Sequence, residues 1–356
     1  MTTPPIPETL LANLKQLSET VGMAGNETAV RQLIRTLVTD LADTIEVDSI
    51  GNLYATKKGT GEQPFTVMAA AHMDEVGLMV VSVDDGLATV RPVGGLDPRV
   101  LIGKPVWVGA DKLPGVILAK PVHLLDNYTS VPTVDSLKID LGPNAGKVSP
   151  GDWATFAMAF ADLGPTVRGK ALDDRVGCAL LIELLRHGPY PFDFVAAFTV
   201  QEEIGLRGAK VAAYRVNPDF ALVLEATPAV DLPAKLADDE NERYNTRLFH
   251  GPALSIGDGS TLYQRHVVNY FEQVARDNNI PVQRRQPGAG GNDSGAIHRA
   301  RGGIPTQAIS VPARYIHSPA ALIAAADLQH TLDLAVAALR SLTRDVFTQP
   351  TPTNPA

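Results

Sequence analysis

This sequence of 356 residues lacks several features that would point to other classes of protein. It has one cysteine, Cys178, so no disulfide can form within the chain. Its net charge of −8 disfavours nucleic acid and anionic membrane surfaces as partners, because both are negatively charged themselves. No apolar run approaches the roughly 18 residues that a membrane-spanning helix needs. We therefore expect neither a nucleic-acid-binding protein nor a membrane protein.

The two ends of the chain carry no structural or targeting pattern of their own. Residues 1–8 have neither the basic stretch nor the apolar stretch of a secretion signal, which together with the single cysteine favours a cytoplasmic location. Residues 348–356 are polar and rich in proline, which predicts a disordered tail. The whole chain is 45% hydrophobic and contains 30 Gly and 27 Pro, so it can bury a large core and is rich in turns.

Much of the chain alternates between helical and strand patterns. Apolar residues recur at helical spacing in segments 26–42, 173–187, 261–278 and 321–340, and Asn26 stands where it could cap the first of these helices. Continuous apolar runs predict buried strands at 65–71, 192–200, 220–224 and 306–311. Strands that alternate with helices predict an α/β/α sandwich whose inner sheet is largely parallel.

The segment 76–168 has a different pattern. Its short apolar runs are separated by Gly, Asp and Pro, and it contains no long helical repeat. This pattern is typical of a small β-barrel or sandwich. We therefore expect a β-rich domain at 76–168, inserted into an α/β domain made of residues 1–75 and 169–347.

Metal-binding side chains lie next to the ends of the predicted strands. His72, Glu203 and Glu225 each follow a strand, Asp173 begins a helix, and His317 follows a further strand after a short turn. Taken singly these are weak signals, since an Asp at a helix start is usually only a cap. The carboxyl ends of strands in an open α/β sheet, however, face one shared crevice. Two imidazoles and three carboxylates with no cysteine suit a pair of Zn-like or Co-like ions.

A neighbouring carboxylate, Glu202, is a candidate general base. Three carboxylates against two divalent ions leave about one positive charge, which a bridging hydroxide would neutralise. If Glu203 binds metal, Glu202 can lie close to the same water and pass its proton to a leaving amine. Asp74 can hold the imidazole of His72, or stabilise its metal ion, without being a direct ligand. The simpler alternatives are a solvated acidic pair at 202–203 and a turn-forming Asp74.

Six blocks of the sequence carry a resemblance to one known family: residues 72–77 (HMDEVG), 170–177 (KALDDRVG), 200–208 (VQEEIGLRG), 224–227 (LEAT), 290–298 (GGNDSGAIH) and 312–319 (PARYIHSP). Together they resemble the dinuclear metallo-aminopeptidases of the glutamyl-aminopeptidase type, the tetrahedral TET peptidases. The resemblance covers nearly the whole chain. It implies that His72 and Glu225 bind one metal ion, that Glu203 and His317 bind the other, and that Asp173 bridges them.

The resemblance also implies the roles of other residues and the kind of assembly. Glu202 would be the general base, with Asp74 as its supporting carboxylate, and the substrates would be short peptides trimmed from the amino end. The inserted domain would build dimers that assemble into a tetrahedral dodecamer. Asn292 replaces the usual Thr of its block, and we expect Asn292 and Asp293 to contact substrate. Glu225 occupies a position that the family fills with Asp or Glu, with Asp231 as the fallback ligand.

Other functions stay open at this point. A related dinuclear deacylase or carboxypeptidase would have the same broad architecture, and a non-catalytic assembly subunit would keep the fold without the chemistry. A glycoside hydrolase would use Glu202 and Glu203 as its carboxylate pair. Adjacent residues are poorly placed for the separation of about 5–9 Å that such enzymes need, and His72 and His317 would have no role.

Overall fold

The computed structural model describes residues 6–62, 64–120, 131–232, 246–288 and 290–348. Its helices are α1 Glu8–Glu19, α2 Thr28–Val38, α3 Leu172–His187, α4 Arg207–Val216, α5 Arg265–Asp277, α6 Ser294–Ile297, α7 Ala325–Ser341 and α8 Arg344–Phe347. Its strands are β1 Thr44–Val47, β2 Leu53–Lys57, β3 Thr66–His72, β4 Gly77–Asp84, β5 Leu87–Val93, β6 Pro105–Val108, β7 Leu113–Leu118, β8 Lys138–Asp140, β9 Trp153–Phe156, β10 Ala161–Asp162, β11 Thr166–Gly169, β12 Asp193–Thr199, β13 Phe220–Pro228, β14 Ala253–Ser255, β15 Gln283–Arg285, β16 Thr306–Arg314 and β17 Ala321–Ala324.

Among the described residues, the larger of two sheets has eleven strands. Their order along its main path is β1-β2-β12-β3-β13-β16-β17-β11-β10, and β14 and β15 join beside β16. Its central strands β12, β3, β13 and β16 are parallel to one another. Antiparallel strands flank them on both sides. The carboxyl ends of the four parallel strands therefore lie along one edge, as ligand-binding α/β sheets require.

Helices cover both faces of this sheet. In β3, Val67, Ala69 and Ala71 pack in a core that includes residues of α1, α2, α3 and α7. The intervening Met68 and Ala70 pack in a second core with α4 and α6. This alternation follows from the two-residue period of a strand that is buried on both faces. The predicted α/β/α sandwich is confirmed.

The smaller sheet is a closed barrel with the strand order β4-β5-β8-β7-β6-β9. Leu78 and Val80 point into its core, whereas Met79 and Val81 point outward and are 40% and 47% exposed. The predicted β-barrel is thus confirmed. The strands β10 and β11, within 161–169, pair with the larger sheet instead. The domain boundaries at 76 and 168 stay a prediction.

Several local predictions differ from the structure. Residues 321–324 form a strand between β16 and β11, and helix α7 begins only at Ala325. Strand β13 continues to Pro228, so Glu225 lies within the strand and does not follow it. Helix α2 begins after Glu27, and Asn26 makes a backbone turn to Met23, so the predicted cap is wrong. Helices α1 and α4 were not predicted.

Two further sequence predictions concern the ends of the chain and membranes. The disordered tail predicted for 348–356 lies outside the described residues, apart from Thr348. Within the described residues, the helices are all too short or too polar to cross a membrane.

Candidate metal centre and its cavity

The predicted metal ligands meet at the carboxyl edge of the central strands. They line one open cavity of about 640 Å³, whose wall includes His72, Asp173, Glu202, Glu203, Glu225 and His317. His72 is the last residue of β3, and the adjacent glutamates follow β12. A volume in this range is typical of small-molecule sites in proteins. The strand ends therefore bring together residues that are far apart in the sequence.

Asp173 lies between the two histidines. Its Oδ1 is 3.1 Å from Nε2 of His72, and its Oδ2 is 3.3 Å from Nε2 of His317. The backbone of Asp173 is extended, at φ −86° and ψ 108°, although it lies in the first turn of α3, and the side chain does not cap that helix. Since the carboxylate is not used for capping, both of its oxygens face the imidazoles.

Glu203 connects two groups of possible metal ligands. Donor atoms of Asp173, Glu203 and His317 lie within 4.8 Å of one another, and so do those of His72, Glu202 and Glu203. Oε1 of Glu203 is 3.2 Å from Nε2 of His317, yet within the described residues it is buried without a hydrogen bond. The described structure thus offers two adjoining nitrogen-and-oxygen ligand groups.

Asp74 supports both sides of this centre. Its buried carboxylate accepts hydrogen bonds from the backbone N–H groups of Glu202, at 3.0 Å, and Glu203, at 3.1 Å. Nδ1 of His72 lies 3.1 Å from the backbone oxygen of Asp74 and 3.5 Å from its Oδ1. Asp74 therefore contacts one histidine and the acidic pair at once.

Asp174 is a supporting residue that the sequence analysis missed. Its Oδ2 accepts a hydrogen bond from the backbone N–H of His72 at 3.1 Å, and its Oδ1 accepts one from Gly177 at 2.9 Å. Cys178, predicted to be a small buried hydrophobe, is fully buried and donates its thiol to the backbone oxygen of His72 at 3.2 Å. The adjacency of Asp174 to Asp173 was the one available signal.

Glu225 lies in the wall of the cavity but is held by other residues. Its Oε1 accepts hydrogen bonds from Nδ2 of Asn292 at 3.0 Å and Oγ of Ser310 at 2.9 Å, while Arg285 Nη1 lies 3.6 Å away. Within the described part of the chain, these contacts leave Oε2 of Glu225 without a hydrogen bond. The fallback residue Asp231 instead pairs with Arg314, at 2.6 Å and 2.9 Å.

The two predicted substrate contacts, Asn292 and Asp293, are buried and are not among the described residues that line the cavity. Asn292 reaches Glu225, as described above. Oδ2 of Asp293 accepts a hydrogen bond from Thr199 at 2.6 Å, whereas its Oδ1 is buried without a partner among the described residues. Burial raises the pKa of Asp293 to about 6. A substrate contact by either residue stays a prediction.

Neighbouring carboxylates decide the charges of the two imidazoles. Burial lowers the pKa of His317, but the carboxylates of Asp173 and Glu203 outweigh this and raise the pKa to about 11. The pKa of His72 is likewise raised, because bonds to Asp173 and Asp74 outweigh burial. Burial raises the pKa values of both Glu202 and Glu203. Without metal, imidazolium protons thus provide the positive charge that this acidic cluster needs.

Comparison with known proteins agrees with this geometry. Residues 51–334 match the family described as M42 glutamyl aminopeptidase. The chain is 33% identical to a glutamyl aminopeptidase of Lactococcus lactis, over 87% of this chain and 90% of that protein. It is 32% identical to a lysyl aminopeptidase of Pyrococcus furiosus, over 94% of this chain and 98% of that protein.

A solved structure shows the same fold at similar identity. It is the TET1 peptidase of Pyrococcus horikoshii, described as able to assemble into a tetrahedron or a large octahedral shell. The match has a TM-score of 0.80 and 33% identity, covering 94% of this chain and 100% of that one. The resemblance found in the sequence is confirmed: the chain belongs to the M42 glutamyl aminopeptidase family and is a metal-dependent hydrolase that removes amino-terminal residues from peptides.

Proposed function

We propose that this aminopeptidase works with two divalent ions, bridged by Asp173. In this assignment His72 and Glu225 hold one ion, and Glu203 and His317 hold the other. The observation that carries it is the position of Asp173, with one carboxylate oxygen next to each imidazole, at 3.1 Å and 3.3 Å. A carboxylate with its two oxygens directed at two nitrogen ligands is suited to sharing a pair of ions.

The donor set fits such a pair of ions. It contains imidazole nitrogens and carboxylate oxygens. The thiol of the one cysteine, Cys178, is hydrogen-bonded to the backbone oxygen of His72 and is not part of the donor set. Zn and Co accept this mixture, whereas Mg and Ca prefer oxygen alone. The buried Oε1 of Glu203 and the open Oε2 of Glu225 are oxygens that an ion would satisfy. We therefore propose Zn or Co as the metal.

The protein's own contribution to the reaction comes from Glu202 and Asp74. When bound, the ions supply an activated water and a Lewis acid for the peptide carbonyl. Glu202 lines the cavity, and its Oε2 lies 3.9 Å from Nε2 of His72. From this position Glu202 can take a proton from water in the cavity and give it to the leaving amine. Burial raises the pKa of Glu202, which suits a group that must both accept and return a proton. Asp74 fixes the backbone of Glu202 during this transfer.

We propose that the substrates are short peptides and that the chain self-associates through its barrel. The outer face of the barrel exposes four large apolar side chains, namely Met79, Val81, Trp107 and Val116. Exposed apolar side chains on one small domain are available for a protein–protein contact. Together with the assembly described for the Pyrococcus horikoshii peptidase, this supports dimers that build a tetrahedral dodecamer. The cytoplasmic location stays a prediction.

A panel of aminoacyl anilides tests this function. The protein is stripped with a chelator and assayed after addition of Zn, Co or Mn, alongside N-acetylated amino acids and N-blocked peptides. We expect metal-restored hydrolysis of the anilides and none of the blocked substrates. Cleavage of acetyl-amino acids would instead assign a deacylase, and release of carboxyl-terminal residues from N-blocked peptides would assign a carboxypeptidase. A protein that binds no metal and cleaves nothing would be an assembly subunit.

A further inference from the structure

Arg285 places a buried guanidinium in the wall of the same cavity. It is the last residue of β15, its side chain is 8% exposed, and it lines the cavity together with the candidate metal ligands. It is the only lysine or arginine among the described residues of this wall. The neighbouring charged side chains are mostly carboxylates. The sequence analysis gave Arg285 no role.

The anions nearest to Arg285 balance its charge without using its hydrogen-bond donors. Nη1 lies 3.6 Å from Oε1 of Glu225 and 3.9 Å from Oδ2 of Asp258, beyond the usual length of a hydrogen bond. Both carboxylates already accept hydrogen bonds from other donors. Glu225 Oε1 accepts from Asn292 and Ser310, as described above, and Asp258 Oδ2 accepts from Nδ2 of Asn292 at 3.4 Å and from the hydroxyl of Tyr263 at 3.5 Å.

A guanidinium has five N–H donors, and buried donors normally find acceptors. Within the described residues, none of the guanidinium N–H groups of Arg285 donates a hydrogen bond. A neutralised but unbonded guanidinium beside a cavity is therefore suited to an acceptor that arrives with a ligand. A carboxylate matches its planar fork best, because it can accept two parallel hydrogen bonds.

We propose that Arg285 is a specificity-determining residue that binds a carboxylate of the peptide substrate. This inference rests on the proposed function. Two sources have the same chemistry: the side chain of an acidic first residue, or the carboxyl terminus of a dipeptide. The other charged side chains of the described wall include four carboxylates, which repel an anion: Asp173, Glu202, Glu203 and Glu225. Arg285 therefore fixes where on this wall a negatively charged group of the substrate lies.

Matched substrates test the proposal on the unmodified, metal-loaded enzyme. One pair is the anilides of glutamate and glutamine, which differ in charge but hardly in size. The other pair is Leu-Gly with a free and with an amidated carboxyl terminus. We expect kcat/KM to favour the charged member of one pair by about tenfold to a hundredfold, the usual effect of a hydrogen bond to a charged group. The pair that responds identifies the source of the carboxylate.

Two variants assign the preference to Arg285. Arg285→Met should reduce the charged-to-neutral ratio of kcat/KM to about one. The control is Arg284→Met, which changes the adjacent arginine of the same strand. Arg284 is exposed and pairs with Glu272 at 2.9 Å, so its loss should leave the ratio as in the wild type.

Three outcomes would overturn the proposal. The wild type could treat the members of both pairs equally, a result that needs no variant and holds even if Arg285→Met fails to fold. The preference could survive in Arg285→Met. The variant could also lose metal and show the same fractional loss of kcat/KM for every substrate. Arg285 would then only support Glu225. If the wild type cleaves no aminoacyl anilide with any metal, neutral or charged, the proposed function itself fails.

Discussion

Oδ1 of Asp74 accepts a hydrogen bond from the backbone N–H of Glu202 at 3.0 Å, and this contact joins the end of β3 to the loop after β12. The other oxygen of Asp74 holds Glu203 in the same way. One buried carboxylate thus sets the positions of the proposed base and of a proposed metal ligand. We expect its effect on catalysis to be indirect, through the backbone of these two neighbouring residues.

Asp74→Asn should lower kcat while the protein stays folded. Asn keeps one acceptor oxygen but presents an NH₂ group to the second backbone N–H, so the loop that carries Glu202 must shift. Loss of such a supporting contact typically costs about 10–100-fold in activity or metal affinity. Steady-state kinetics and metal content measure both. Asp48→Asn is the control, since Asp48 accepts three backbone N–H groups in a turn that does not line the cavity. Wild-type kcat in Asp74→Asn would contradict the assigned support.

Glu202→Gln and Glu203→Gln should behave differently although the two residues are adjacent. Gln at 202 cannot take or return a proton, so kcat should fall by about 10²–10⁴-fold while metal stays bound. Gln at 203 removes a charged ligand and should weaken metal binding instead. Metal analysis and kcat for both variants decide the matter. Metal loss in Glu202→Gln with retention in Glu203→Gln would mean that their roles are reversed.

His317→Ala and Asp173→Asn should abolish activity through loss of metal and not through unfolding. His317 contacts one ligand group, whereas Asp173 reaches both imidazoles, so Asp173→Asn should lower occupancy at both sites. Bound metal per subunit and thermal unfolding are the measurements. Two bound ions and normal turnover in either variant would refute the ligand assignment.

Metal binding should release protons and should weaken as the pH falls. In the metal-free protein, burial lowers the pKa of His317, but the neighbouring carboxylates of Asp173 and Glu203 outweigh it and raise the pKa to about 11, so the imidazole is protonated at pH 7. An ion must displace that proton, because only the neutral imidazole binds metal. The raised pKa of His72 acts in the same direction. Calorimetry of Zn binding in buffers of different ionisation enthalpy measures the release, and an identical heat in every buffer would rule it out.

Val81→Glu should break the assembly by placing a charge on the exposed apolar face of the barrel. The control is Val47→Glu, a similar change in β1 at the edge of the larger sheet, where Val47 is 40% exposed. Light scattering at micromolar concentration should give a smaller particle for Val81→Glu than for the control. A fully active wild-type monomer under these conditions would disprove the assembly.

The sequence predicted the parts of the site that follow from the strand pattern. His72, Glu202 and Glu203 end apolar runs, and such runs have a recognisable beginning and end. The segment 321–324 reads as helix, yet it is a strand that pairs with the preceding β16 and with β11. No local pattern reveals the pairing with β11, which is distant in sequence. Arg285 and Asp174 were missed for the same reason. Their importance comes from contacts with Glu225 and His72, which lie far from them in the sequence, and the adjacency of Asp174 to Asp173 was the one local signal.

The wall of the cavity is built from two kinds of structure that respond differently to mutation. His72 ends β3, which is paired on one side with β12 and on the other with β13, so displacing it would disrupt the middle of the sheet. Another part of the wall is made of residues in connecting segments, namely Gly259, Ser260, Gly290 and Gly291. Ser260 is the one residue of this set that already carries a side chain, whereas a Cβ at Gly259 would lie 2.6 Å from the backbone oxygen of Gly290. A substitution at Ser260 can therefore reshape substrate choice while the reaction centre keeps its geometry.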